Sequence, residues 1–292
     1  MLWVPVTLAA AAFQTARNAT QAGLVAQIGT LGATQVRFLF GLPFALLFLA
    51  LVWAAAGPLP GLTPRAASFA GIGALSQIAA TALMLSAMKI RGFAAATALM
   101  KTEPVMLALI GWAVLGDRLG PPAIAAIAVA TAGVVLMSLK PGDPLPARAT
   151  ALALLAGLGF GLSAIGFRGA ILALDEGGFL MRATTILVMS LAIQSAVLGA
   201  WLAAFDRAAL AGSLRVWRAS LAAGFLGAAA SQMWFLGFAL TTAAHVRTLA
   251  LVEVFMARAV SGRLFGERTT AREAVGMAMV VAGVAGLLLG GA

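Results

Sequence analysis

Cysteine is absent, histidine occurs once at His245, and charged residues make up only 10% of the chain. Without cysteine there are no disulfides and no thiol chemistry, and redox compartment leaves no mark. One histidine and no thiolate argue against a protein-built zinc site, so neither a metal nor another cofactor is expected. The same shortage leaves no nucleophile–base–orienter set, and there is no P-loop, so enzymatic activity is not expected. A soluble domain carries about 25% charged residues. This chain cannot cover itself for water.

What is present is apolar: 62% of residues are hydrophobic and the mean hydropathy is +1.04. The matching solvent is a bilayer, crossed in spans of about 20 apolar residues. Ten such stretches run over 2–22, 34–56, 66–87, 93–115, 120–139, 149–172, 181–205, 217–240, 244–265 and 271–290. Turn chemistry separates them, as at Gly57-Pro-Leu-Pro-Gly61, Pro121-Pro122 and Glu176-Gly-Gly178. Long uniform apolar runs do not alternate as barrel strands do, so the expected fold class is an all-α, multi-pass membrane protein. Residues from Leu2 onward read as the first span, because no cleavage pattern followed by a soluble body is seen. Membrane lipid is thus a required partner. The net charge of +10 is spread singly or in small loop clusters such as Arg215 and Arg218, with no basic stripe, so no nucleic acid is expected.

The chain also repeats itself. A shift of 150 residues superposes Glu103 on Glu253, Met106 on Met256, Gly116-Asp117-Arg118 on Gly266-Glu267-Arg268, and Ala132-Gly133-Val134 on Ala282-Gly283-Val284. More loosely, Ser76-Gln77 recurs as Ser231-Gln232 and Arg17 as Arg168. The segment 141–148, with three prolines, divides a first repeat (1–140) from a second (149–292). Five helices per repeat is an odd number, so the second threads the membrane the opposite way. Ten transmembrane helices as two inverted five-helix repeats is the signature of secondary transporters. Cations grouped by nearest loop number twelve on the odd connections and five on the even, which by the positive-inside rule puts both termini outside.

Glu103-Pro104-Val105, an apolar helix, Gly116-Asp117-Arg118 and a second helix ending in Ala132-Gly133-Val134 form a familiar order. The module resembles that of the drug/metabolite transporter superfamily, the EamA-type exporters, and is seen twice. Asp117 stands where that pattern usually has Glu, and Val254 replaces the proline of the second copy. Around Ser231-Gln-Met-Trp-Phe235 and His245-Val-Arg247 the chain is similar to bacterial exporters of aromatic and other amino acids. The resemblance implies a multi-pass protein of the cell inner membrane with both termini in the cytoplasm, against the charge tally.

Ionisable groups inside spans are costly, at least ~2.5 kcal/mol each, and so point to function. Lys101, Glu103, Glu253 and Arg258 are the central charges. The glutamates are read first as partners of interior cations (Lys101, Arg247 or Arg258) and second as a proton-coupling carboxylate. Pro104 is the expected hinge of the fourth span. Gln14, Gln77, Thr81, Ser163 and Gln232 are neutral hydrogen-bonders within apolar helices, with Met84, Phe167 and Trp234 as apolar wall. Singly each is ordinary packing; together they suggest a substrate-binding cavity. His245, a residue type that changes charge near neutral pH, stands at the mouth of the ninth span. Neutral donors beside aromatic wall suit a zwitterion with an apolar side chain better than a phosphate, which calls for several cations. Gly159-Phe-Gly-Leu-Ser-Ala164 fits a loose dinucleotide pattern but lies mid-helix with no strand before it, so it reads as helix packing. Asp175-Glu176 reads as a solvated loop pair.

The expected function is therefore a secondary transporter exporting small metabolites, most of all amino acids, by alternating access, with a monomer sufficient. The alternative is a lipophilic-cation exporter of the same superfamily. A membrane-embedded enzyme or a structural membrane protein is the less favoured class.

Overall fold

The computed structural model describes residues 1–91, 100–138, 146–255 and 270–289. Among them there is no strand, and eleven α-helices are present. In chain order these are α1 (Trp3–Leu39), α2 (Leu42–Ala56), α3 (Pro64–Arg91), α4 (Glu103–Leu115), α5 (Pro121–Ser138), α6 (Ala147–Leu172), α7 (Phe179–Phe205), α8 (Arg207–Arg215), α9 (Trp217–Leu240), α10 (Ala243–Leu249) and α11 (Ala271–Leu289). Arg258, the Gly266-Glu267-Arg268 turn and most of the 141–148 junction lie outside the described residues.

Among the described residues, six helical stretches are long and apolar enough to cross a bilayer: Gln27–Ala56 (the end of α1 with α2), Pro64–Met84, Ala147–Leu172, Phe179–Phe205, Trp217–Leu240 and Ala271–Leu289. Ten spans were expected; those over 93–115 and 244–265 lie partly outside the described residues, and the differences seen in the first and fourth stretches have local causes. The first stretch does not stop at residue 22. It stays helical to Ile28 and turns at Gly29, whose φ of 70° is a backbone state that favours glycine. It falls short of a fully apolar span because Gln14, Thr15 and Arg17 interrupt it. Pro104 and Gly116 bound α4 to 13 residues. Gly116 ends that helix in the left-handed region (φ 69°), and its N–H and that of Asp117 both bond the Gly111 carbonyl. The short α8 is an extra element that apolar runs could not reveal.

Side chains face outward in the manner of a lipid surface. Trp112 and Leu109 on α4 are 67% and 65% exposed, while many of the buried positions are alanines. Such an arrangement suits hydrocarbon, where close packing of small residues holds helices together.

Two compact units are distinct: Met1–Ile78 with Gly166–Leu240, and Ala79–Ile165 with Thr241–Ala292. In the first, α1 packs along α9, and α2 and α9 pack on α7. Gly224 makes the α9 crossing possible, since a Cβ there would lie 2.5 Å from the Phe40 carbonyl oxygen. Asp206 caps α8 by accepting from the Ala209 N–H at 3.0 Å. In the second unit α5 packs on α11 and α10 on α4. Thr270 and Glu273 form a reciprocal cap at the start of α11, with Thr270 N–H donating to Glu273 Oε2 (2.8 Å) and Glu273 N–H to Thr270 Oγ1 (3.2 Å).

The α5–α11 contact reads the same from either helix. A Cβ on Gly133 would lie 2.6 Å from the Gly276 carbonyl oxygen, and one on Gly283 would lie 2.6 Å from the Ala126 carbonyl oxygen. Gly133 and Gly283 are repeat counterparts at the shift of 150, and so are Ala126 and Gly276. Moving from 126 to 133 on one helix moves from 283 to 276 on the other. The two helices run antiparallel.

Candidate functional site

The central charges gather in the second unit. Lys101 Nζ pairs with Glu253 Oε1, and Arg247 Nε lies 3.3 Å from Glu103 Oε1. The four side chains are 14–20% exposed, so they are half-buried and keep some solvation. Each glutamate is held by a cation that belongs to the other repeat. Arg247 precedes Glu253 by six residues and Lys101 precedes Glu103 by two, so the exchange is reciprocal but offset by about one helical turn.

Helix winding changes beside both glutamates. Before Glu103 the chain makes a turn at Lys101-Thr102, and Val105 N–H bonds the Thr102 carbonyl, an i to i+3 contact. Before Glu253 the chain forms a 3-10 turn over Ala250–Val252, and the Glu253 N–H bonds the Ala250 carbonyl. Tight winding of this kind in a helical run often marks a hinge. Pro104 falls in the first turn of α4 and not mid-helix. Its missing N–H there costs no intrahelical bond. Glu103 and Leu107 lie against Gly161 of α6, and the Met100 carbonyl lies against Gly157, which accounts for the glycine pattern as close packing.

The other predicted residues of this unit are enclosed. Ser163, Thr81 and His245 are buried, and Met84 packs on the cluster of Ala87, Met100, Ala153 and Ala156. His245 shares a hydrogen bond between its Nδ1 and Thr242 Oγ1, while Thr242 caps α10. His245 thus fixes the start of the helix that presents Arg247.

In the first unit the predicted amides pair with one another's neighbours. Trp234 Nε1 donates to Gln14 Oε1 at 3.1 Å. Gln232 Nε2 donates to Thr184 Oγ1 at 2.9 Å, and Gln194 Nε2 to Gln77 Oε1 at 2.6 Å. Bonds of this type between helices contribute about 0.6 kcal/mol each in membranes. Phe167 is fully enclosed, with Gly73 over its ring edge and the Phe235 ring 4.7 Å away. It braces the α3–α6 crossing.

Thr184, Gln194 and Arg247 were missed as site residues. Thr184 and Gln194 are polar positions inside the 181–205 apolar stretch, the same signal that singled out Gln77 and Gln232. Arg247 was weighed only as a partner. Four cations of the orientation tally, Arg17, Arg37, Arg168 and Arg247, are interior or half-buried side chains and not loop cations. Asp175 and Glu176 lie exposed in the turn between α6 and α7. Among the described residues no cluster of metal-ligating side chains forms.

Comparisons with known proteins agree with this architecture. Comparison with curated proteins finds no match. A solved crystal structure of a protein superposes over 99% of this chain and 97% of its own, with a TM-score of 0.73 at 16% identity, and so shares the fold. Residues 1–139 match the EamA-like transporter family, the region that holds Glu103-Pro104, Gly116-Asp117-Arg118 and Ala132-Gly133-Val134. The match places residues 1–139 in the EamA-like transporter family of the drug/metabolite transporter superfamily, and the apolar helices point to a multi-pass membrane protein.

Proposed function

We propose that this protein exports small zwitterionic metabolites, amino acids above all, across the cell inner membrane. It works as a monomeric secondary transporter built from two inverted five-helix repeats. The antiparallel, reciprocal contact of Gly133 with Gly276 and of Gly283 with Ala126 supports the inversion. The reading rests chiefly on the crossed ion pairs beside two tightened helices. A glutamate and cation that hold two repeats together at a hinge form a contact that can open when the repeats move. Half-burial keeps the cost of opening moderate, because water reaches the separated charges. Pro104, at the start of α4, lets that helix swing without breaking a backbone bond.

Gln14, Gln77, Gln232 and Trp234, all in the first unit, are the proposed substrate contacts. Neutral donors and acceptors of this kind satisfy an ammonium and a carboxylate without demanding net charge. The alternative, export of lipophilic cations, needs a carboxylate ready to receive a cation. Glu103 and Glu253 are each engaged already, which favours the zwitterion.

The test is uptake into proteoliposomes of purified protein, offered a panel of amino acids, a nucleotide sugar and a lipophilic cation. Saturable flux of amino acids with apolar side chains is expected. Flux of the cation with no amino acid moving would reverse the substrate assignment.

A further inference from the structure

The unit formed by Met1–Ile78 and Gly166–Leu240 carries its surface charge unevenly. Its 27-residue α7 is about 40 Å long, more than the roughly 30 Å of a hydrocarbon core, so its two ends reach opposite membrane surfaces. At the first end lies the exposed turn of Asp175 and Glu176, with Arg182 in the first turn of the helix. Thr63 Oγ1 donates to the Ala173 carbonyl at 3.0 Å, which brings the start of α3 and Arg65 to the same end. Two carboxylates balance two arginines there. At the second end stand Arg207, Arg215 and Arg218, all exposed, and Asp206 is the one carboxylate between residues 196 and 240. Asp206 is used on the Ala209 N–H as the α8 cap. This end keeps an excess of positive charge.

The second end is also built differently. Its α8 is far more amphipathic than any of the long helices of the unit. The inner face is small. A Cβ on Gly212 would lie 3.0 Å from Ile28 Cγ2, and one on Gly32 would lie 3.2 Å from the Ala209 carbonyl oxygen, so α8 packs closely on α1. Ser213 is buried on that face, donates to the Leu210 carbonyl and accepts at its own carbonyl from Ser220 of α9. The outer face presents Arg207, Ala211, Leu214 and Arg215 at i, i+4, i+7 and i+8, and all four are exposed. Aromatic rings flank it. Trp201 and Phe205 pack at 5.5 Å between centroids at the end of α7, and the Arg218 guanidinium lies 5.4 Å from the Trp217 ring centroid. Phe205 is 75% and Trp217 50% exposed, so both rings meet the surroundings and not the core. A short basic amphipathic helix between exposed aromatics has the composition of an element that lies in the headgroup layer.

We infer that α8 and its flanks form a docking surface for anionic phospholipids of the facing leaflet. The headgroup phosphates sit on Arg207, Arg215 and Arg218, and the acyl chains pass Phe205, Leu214 and Trp217. Charge complementarity carries the assignment. Three exposed guanidinium groups face a layer of phosphates, and each fork can take a phosphate through two bonds. A basic residue at such a surface is worth roughly fivefold in affinity for anionic lipid. Arg65 and Arg182 do not make a second surface of this kind, because Asp175 and Glu176 stand at the same end. The inference goes beyond transport and holds whichever solute is moved.

The experiment titrates the purified full chain, in neutral detergent, with dioctanoyl phosphatidylglycerol or dioctanoyl phosphatidylcholine and reads bound lipid by native mass spectrometry. Wild type should bind phosphatidylglycerol saturably and phosphatidylcholine about tenfold more weakly, since choline offsets the phosphate charge. Arg207→Gln, Arg215→Gln and Arg218→Gln should each lose part of the phosphatidylglycerol affinity, and the three together about tenfold or more. Arg207→Lys, Arg215→Lys and Arg218→Lys together keep the charge and should keep most of the affinity. Arg65→Gln, at the other end of the unit, should bind as wild type does. Unchanged affinity in the three single Gln variants, or equal binding of the two lipids by wild type, would overturn the inference. So would displacement of the lipid by equimolar glycerol phosphate, which would mark a site for free phosphate and not for a lipid surface. Binding is read without transport, so a failure of amino-acid uptake leaves this test standing.

Discussion

Lys101 and Glu253, 20% and 15% exposed, are neither fully solvated ions nor dry ones. Removing one member of a fully buried pair costs about 3–5 kcal/mol. Partial exposure brings the expected loss here to roughly half of that. Lys101→Met should therefore lower the thermal midpoint in detergent, and Lys101→Met with Glu253→Leu should recover part of the loss, because no charge is left uncompensated. Equal losses in the single and double variants would mean that the pair is not coupled. Arg247 lies beside Glu103, and on the proposal that this glutamate is structural an imposed pH gradient should not change amino-acid flux in wild type. Glu103→Gln should slow flux with and without the gradient alike. Accumulation driven by the gradient in wild type and lost in Glu103→Gln would instead make Glu103 a proton carrier.

Among whole elements, small residues do the joining. The contact of α5 with α11 depends on Gly133, Gly276 and Gly283, each of which has the partner's backbone within 2.6 Å of where a Cβ would stand. Gly133→Ala and Gly283→Ala should each destabilise by about 1–3 kcal/mol, as overpacking does, and by similar amounts because they are counterparts. Gly71→Ala, with nothing within 4 Å of the new Cβ, should be neutral or slightly stabilising. A thermal-shift series on the three variants reads this directly, and three equal midpoints would contradict the crossing. The glycines were visible in the sequence as Ala132-Gly133-Val134 and Ala282-Gly283-Val284, but their partners were not. Which helix a glycine meets depends on tertiary placement, and that is why Gly276 gave no signal of its own. Helix ends were legible where Pro, Gly or a capping side chain set them, as at Pro121, Gly116 and Thr242. They were not legible at Gly29, since a single glycine within a helical run usually continues the helix.

For the molecule as a whole, the bilayer setting, the helical class and the family were all readable from composition and from one doubled motif. The candidate site was readable only as a set of residue types. Charges and amides inside apolar stretches mark expensive positions, so Lys101, Glu103, Glu253, Gln77 and Gln232 stood out. Pairing did not, because several geometries close the same charges: Lys101 reaches across to Glu253 and leaves Glu103 to Arg247. This crossed arrangement ties the transport proposal to the repeat. The measurement that bears on it most directly is a charge reversal, with amino-acid uptake followed in proteoliposomes for Lys101→Glu, Glu253→Lys and the two combined. Each single reversal places like charges together and should reduce flux to near background, and the combined reversal should restore much of it. Singles that transport at the wild-type rate, or a well-folded double variant no better than the singles, would contradict a crossed pair at the transport hinge.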